Sequence, residues 1–370
     1  MKKLPAATLM LAGLALGMPM AHAEEEDGQL YGLLRSRDLT PFGFLRLDMR
    51  PAHAVSIKPG SWALETEVAY QNTWALSPNV EEYLTSQESR GRRDLTAEDL
   101  QAIRDLPGEN YLLDLELAQL DVTFHYKISN FWTAYVITSG VSFQGGFLDS
   151  TIESFHDTFG FSSFGRPAVS KNQVNLIYDL KSSQYSSLGA PTDGGLLDPT
   201  FGVRYTGWAL PGRWHLATEV AVKVPIAGRR ELLSTGRTDV GVQVSLQRKG
   251  NHHAFYLDAA AVYYDGASQV SQQDAMVIPT VIFGYERMLT SRTNVNLQGY
   301  ISKSVYSHDE TDLEELLGEK YQVSLGLRHR RNNFLFTFGI TENLQNVNNT
   351  PDIGFQLGLA WVPLSSMPSR

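Results

Sequence analysis

The chain has no cysteine among its 370 residues, so an oxidising compartment would impose no disulfide framework on it. Beyond the first 23 residues no apolar run is long enough for a membrane-spanning helix. Positive charge is scarce. There are 31 Lys and Arg against 40 Asp and Glu, a balance that argues against nucleic acid as the main partner. There is no G-x-S-x-G, no H-E-x-x-H and no phosphate-binding loop, so the common hydrolase, zinc-protease and nucleotide signatures are missing. No cofactor is called for.

What is present begins with an export signal. Lys2 and Lys3 precede an apolar stretch over about 9–20 and an Ala21-His22-Ala23 cleavage pattern. This predicts Sec export with cleavage before Glu24. Removing residues 1–23 takes two lysines from 31 basic residues, leaving 29 against 40 acids and a formal charge of −11. A chain of this size suits one large barrel or two ordinary soluble domains.

The stretch 200–225 sets the pattern. Phe201, Val203 and Tyr205 alternate with Gly202, Arg204 and Thr206, and Trp214, Leu216, Thr218, Val220 and Val222 alternate with polar or small residues. Period two is the strand signature, because successive side chains point to opposite faces. Leu210-Pro211-Gly212-Arg213 turns the chain, with Trp208 and Trp214 on either side. Tryptophan favours the headgroup boundary of a bilayer. An all-β fold follows: a closed antiparallel transmembrane β-barrel of about 12 strands over 61–362, with lipid outside and a polar lumen inside. The twelve strands are expected at 62–74, 111–128, 131–141, 200–206, 214–223, 239–247, 253–264, 280–288, 294–305, 321–328, 333–340 and 353–361. A bulge near Ala118–Gln119 would reconcile Leu113, Leu115 and Leu117 with Leu120, Val122, Phe124 and Tyr126. Pro279 lacks a ladder donor, so its strand should begin just after it.

Short turns then fall after every even strand, and both ends of the barrel lie on the short-turn, periplasmic side. Trp62, Trp132, Trp208, Trp214 and Trp361 gather there, and Trp74 lies at the outer end. Residues 24–60 form an irregular periplasmic or lumenal segment, and 363–370 a tail. Many barrels of this kind end on an aromatic residue, whereas nine residues follow Trp361 here. Either the final strand is read internally by the barrel-insertion machinery or the insertion signal is weak.

The long connection 144–197 holds a helical stripe of Leu148, Ile152, Phe155 and Phe159, closed by Gly160. A helix over 147–160 would serve as lid or inward plug, with Phe155 and Phe159 pinning it to the wall and Arg166 just beyond. Asp149, Glu153 and His156 share one side and are candidate metal ligands. The bland alternative is a Ser150/Glu153 capping box and a hydrogen-bonded His156. The pattern LD-x-x-IE-x-FH-x-x-FG over 148–160, followed by Gly165-Arg166-Pro167 and preceded far upstream by Pro41-Phe42, resembles the uncharacterised bacterial family called domain of unknown function 3187. That resemblance implies an outer-membrane, porin-like barrel of Gram-negative bacteria and brings no established activity.

The inner faces collect Glu65, Glu67, Asp114, Glu116, Asp121, Glu219, Asp258 and Glu286 against Arg204, Lys223 and Arg328, with His125 and His215. Such a lumen either fills itself structurally or favours cationic solutes. The reading is therefore a passive channel or binding protein for a small solute or lipid-like molecule, surrounded by outer-membrane lipid and lipopolysaccharide. The alternatives are a lipid-modifying enzyme, for which Ser304, Tyr306 and His308 cluster at an outer strand end, and a structural or assembly barrel.

Overall fold

A computed structural model describes residues 29–38, 40, 43–51, 57–160, 162–264, 275–345 and 352–363. The export signal, the acidic stretch 24–27, Pro41-Phe42 and the tail from 364 lie outside the described residues.

Among the described residues fifteen strands form. They are β1 (Trp62–Leu76), β2 (Asn110–Lys127), β3 (Trp132–Gln144), β4 (Asn175–Leu180), β5 (Ser183–Leu188), β6 (Gly195–Leu196), β7 (Thr200–Tyr205), β8 (Trp214–Lys223), β9 (Asp239–Lys249), β10 (His253–Tyr264), β11 (Met276–Met288), β12 (Thr293–Ser302), β13 (Lys320–Arg331), β14 (Phe334–Gln345) and β15 (Ile353–Trp361). Twelve of them make a closed antiparallel barrel in the order β1-β2-β3-β7 and then sequentially to β15, which pairs back to β1 from Leu64↔Trp361 to Asn72↔Ile353. Closure leaves no exposed sheet edge in the ring.

Alternation decides the two faces. On β9, Asp239, Gly241, Gln243, Ser245 and Gln247 point in and are buried, while Val240, Val242 and Val244 point out and are exposed. The same outward exposure recurs around the ring at Val68, Leu120, Val220, Leu257, Phe283 and Leu357. A water-soluble protein does not leave a continuous apolar belt on its surface. Each such side chain gains about 1.5–3 kcal/mol when hydrocarbon replaces water.

Short turns close one end: Ile128 N donates to Trp132 O at 2.9 Å and Gly250 N to His253 O at 2.7 Å. Trp62, Trp132, Trp208 and Trp214 are exposed at this end, and Trp62 packs on Trp361 at 4.4 Å. Trp74 departs from the girdle pattern. It faces outward but is buried, and its Nε1 donates to Phe164 O at 3.0 Å.

Three local expectations are corrected. β2 carries no bulge; it pairs in unbroken register with β1 from Trp62↔Tyr126 to Leu76↔Leu112, and with β3 from Lys127↔Thr133 to Glu116↔Gln144. Pro279 sits inside β11, paired with Ala261. Its carbonyl accepts from Lys303 N just past the Thr280↔Ser302 limit of the β11–β12 ladder, so its missing donor points where no ladder partner is needed. The predicted 147–160 helix is shorter, at Asp149–Phe159, with Leu148 and not Ser150 at its N-cap and Gly160 left-handed at φ 71°.

The other end carries a protein cap. Helices α1 (Pro78–Gln87) and α2 (Ala97–Arg104) fill the β1–β2 connection, α3 (Asp149–Phe159) lies in the β3–β7 connection and α4 (Glu314–Leu317) precedes β13. Thr96 and Asp99 cap α2 reciprocally. Above Glu116, β2 exchanges β3 for β4, which continues the lane of β3 along β2 through Leu113↔Leu176. Two apolar clusters result. One, with Leu113, Leu115, Leu117, Tyr178, Tyr264 and Tyr306, fills the inside of this capped end. The other, with Trp74, Leu84, Ile103, Leu112 and Ile177, packs α1 and α2 against the outside of the wall.

Candidate functional site: a lumen occupied by the chain's own N-terminal segment

The sequence places a plug in 147–160. The structure places it instead in the N-terminal segment, whose described residues 29–38, 40 and 43–51 run up the lumen, turn at Gly43–Leu45, and return.

The upward limb is held by side chains of β11, β12 and β13. Glu286 accepts from Tyr31 N at 2.7 Å and Gly32 N at 3.0 Å, and also from Tyr256 Oη at 2.6 Å. Asn294 donates to Gln29 O at 2.9 Å and Asn296 to Gly32 O at 2.6 Å. Gln298 accepts from Leu34 N at 2.8 Å and donates back to Leu34 O at 3.3 Å. Alternate residues of a strand recur every ~6.6 Å on one face, which is also the repeat of an extended peptide. The amides of β12 thus stand in for a neighbouring backbone. Arg328 donates to Tyr31 O at 2.7 Å and Leu33 O at 3.1 Å. At Gly284 a Cβ would sit 2.5 Å from Leu33, and at Gly326 2.7 Å from Leu34, so the wall needs glycine where the limb presses on it.

Charge fixes the middle. Arg35 engages Glu65 at 2.9 and 3.1 Å, and His125 Nε2 lies 3.4 Å from the same carboxylate. Arg37 bridges Glu67 and Asp121, with Arg50 3.3 Å from Asp121. Lys320 donates to Asp38 at 2.8 Å and Thr40 at 2.6 Å. On the way down, Leu47 N donates to Asp239 at 2.7 Å, which also takes Lys223 at 2.7 Å. Burying such charges is tolerable only because each meets a partner; removing one partner of a buried pair costs ~3–5 kcal/mol.

The inner faces hold Glu65, Glu67, Asp121, Arg204, Glu219, Lys223, Asp258, Glu286 and Arg328, all on inward-facing strand positions, and His125 with them. Glu219 is paired within the wall, to Arg204 at 2.6 Å and Tyr135 Oη at 2.7 Å. His215 shares the inward parity but is exposed at the short-turn end. Two residues assigned to the lumen are not there. Glu116 and Asp114 share the parity of lipid-facing Leu120 and point out of the wall; a bulge would have turned them inward, and there is none. Asp114 meets Asn175 Nδ2 at 2.8 Å under the cap. Glu116 accepts from Phe147 N at 3.0 Å and Leu148 N at 2.6 Å.

That contact fixes α3 outside the ring. The helix is neither lid nor inward plug. Ile152 is its buried anchor, whereas Phe155 and Phe159 are exposed and face each other at 4.7 Å. The three candidate ligands diverge. Asp149 accepts from Arg166 at 3.0 Å and Asn172 N at 2.8 Å; Glu153 pairs with Arg92 and Lys171 at 2.7 Å each; His156 Nδ1 lies 2.8 Å from Ser162 O. Burial alone would raise the Glu153 carboxyl, but those two cations outweigh it and hold it below its ordinary value. Among the described residues no three His, Asp or Glu side chains stand together to hold a metal. The Ser304, Tyr306 and His308 cluster is likewise dispersed. Ser304 Oγ is buried and donates to Leu316 O at 2.6 Å, Tyr306 meets Tyr178 at 3.0 Å, and the His308 carbonyl takes Lys181.

The family described as "Protein of unknown function (DUF3187)" matches residues 107–362. No curated protein matches. Among solved structures, the chain is similar to an outer-membrane channel from Pseudomonas putida F1, at 12% identity and TM-score 0.49, covering 85% of this chain and 99% of that one. It is similar to the NanC porin at 8% identity and TM-score 0.41, covering 80% and 98%. It is also similar to the P. putida toluene transporter TodX at 9% identity and TM-score 0.37, covering 83% and 90%.

Proposed function

The chain belongs to the DUF3187 family, and we propose that it is an outer-membrane channel for a small solute or lipid-like molecule, held shut by its own residues 29–51. The apolar outer belt, the aromatic end and the polar interior support the membrane location. One observation carries the gating. Among the described residues no backbone pairing joins 29–51 to the wall; the ring closes through twelve other strands, and the segment is held by side chains alone. Withdrawing it leaves the barrel closed and the lumen below the apolar seal lined mainly by polar groups.

The test is bilayer conductance of the wild type against a deletion of 29–51, with heat-dependent gel mobility reporting that both are folded. The deletion should conduct where the wild type is shut. A second reading, a structural barrel without transport, is favoured by the apolar cluster that seals the outer end. A folded deletion that conducts no better than wild type would establish it. Phe44 and Leu45 belong to that seal, so the deletion also thins it.

A further inference from the structure

The family-like segment 147–166 is built with more care than a surface loop requires. Gly146 has φ +75°, and a Cβ there would lie 1.8 Å from the Glu116 carboxyl. This bare backbone lets the Phe147 and Leu148 amides reach Glu116 on the outside of β2. Tyr70, on the outside of β1, also donates to Glu116 and stacks on Phe147 at 5.2 Å. Behind the helix, Arg166 joins Asp149 at 3.0 Å, Asn72 at 3.1 Å and Asp352, and lies over the Trp74 ring at 4.9 Å. These contacts clamp the N-terminal end of the helix to the outer surface of the wall.

Height and face then matter. From Trp62 to Tyr70 is eight residues; at ~3.3 Å per residue and a tilt of ~40° that is roughly 20 Å, near the upper limit of a ~25 Å apolar band. The clamp therefore sits at the boundary between acyl chains and headgroups. Within the helix Phe155 and Phe159 continue, at i+3 and i+4, the stripe begun by Leu148 and Ile152, while Phe147 precedes the N-cap and lies against Tyr70. Leu148 and Ile152, at the start of that stripe, are buried against the protein, whereas Phe155 and Phe159 at its end are 39% and 41% exposed, and Ser154 and Asp157 lie on the opposite, polar side. A helix whose apolar stripe ends in two exposed aromatics beside a barrel's lipid belt has the form of an interfacial membrane anchor.

We infer that α3 is an interfacial helix whose exposed Phe155 and Phe159 end enters the outer leaflet and binds lipid acyl chains, continuing sideways the belt formed by Val68 and Leu120. This rests on the membrane reading above, and the experiment separates the two. The absence of native cysteine permits single labels. A nitroxide is attached at Phe155→Cys, Phe159→Cys, Ser154→Cys, Asp157→Cys and Val68→Cys, each in phospholipid nanodiscs and each checked for heat-dependent mobility. Collision with oxygen is compared with collision with a water-soluble nickel chelate.

Labels at 155 and 159 should resemble 68, favouring oxygen, while 154 and 157 favour nickel. Adding Arg166→Gln to the Phe155→Cys chain should raise its nickel accessibility at least severalfold, because the clamp is loosened. If 155 and 159 match 157 while 68 still favours oxygen, the anchor is wrong and the barrel assignment survives. If 68 itself favours nickel, both fall.

Discussion

The two halves of β2 are one strand with one register and opposite chemistry. From Ala118 to Lys127 the inner positions are Gln119, Asp121, Thr123, His125 and Lys127, and the outer ones Ala118, Leu120, Val122, Phe124 and Tyr126. From Asn110 to Leu117 the inner positions are Tyr111, Leu113, Leu115 and Leu117, and the outer ones Leu112, Asp114 and Glu116. Nothing in the backbone changes between them. What changes is the surroundings: below, lipid outside and a polar peptide inside; above, an apolar seal inside and a hydrogen-bonding protein cap outside. Inner and outer are geometric terms, and their polarity is set by whatever medium or segment each face meets.

Charge placed on either half should break this comparison most visibly. Leu115→Arg puts an unpaired cation into the seal and should cost more than about 4 kcal/mol. Leu120→Arg, on the lipid side, can extend its side chain toward the interface and should cost about 2–4 kcal/mol. Urea unfolding from lipid vesicles gives both values; equal costs would erase the distinction between the halves. Next in size, Arg37→Ala strips a cation from between Glu67 and Asp121 and should cost about 3 kcal/mol. Its separate signature is early proteolytic clipping within 29–51 while the wall stays intact.

The smallest effect belongs to the cap. Two hydrogen bonds from Arg93, at 2.6 Å each, outweigh burial and hold the Asp99 carboxyl well below its usual range, with the Thr96 amide adding to the effect. A carboxyl lowered on folding contributes stability that is fully present above its unfolded value of ~4 and is lost as pH falls through the folded one. Amide exchange in 96–104 should therefore accelerate selectively below about pH 4, with the lower wall unaffected. Uniform acceleration along β1 and β2 would contradict it.

The same comparison explains what could be read in advance. The twelve strands, the alternation of their connections and the tryptophan-rich end were legible because each follows from period two and from turn chemistry. The change of phase at Ala118 looked like a bulge because a single strand cannot report whether its register or its surroundings has shifted. That one ambiguity sent Asp114 and Glu116 to the wrong side of the wall. The plug was missed for a different reason. Asn294, Asn296 and Gln298 are ordinary lumen filler taken singly, and only their two-residue spacing hints at an extended peptide beside them. Arg35, Arg37, Arg46 and Arg50, four arginines within 35–50, were the other half of the signal, matching the acids of the wall. The 148–166 motif was visible as a unit, but its helical stripe mixes residues that grip the protein with residues that face away from it.

The seam of the ring has a consequence for assembly. β1 meets β15, so the hoop cannot be sealed until the last strand arrives, and β1 carries Glu65 and Glu67 at that seam. Arg35 and Arg37 lie only a short tether upstream of those carboxylates. A cork can be seated against an unfinished neck, and the order of synthesis here lets the stopper be fitted before the bottle is closed.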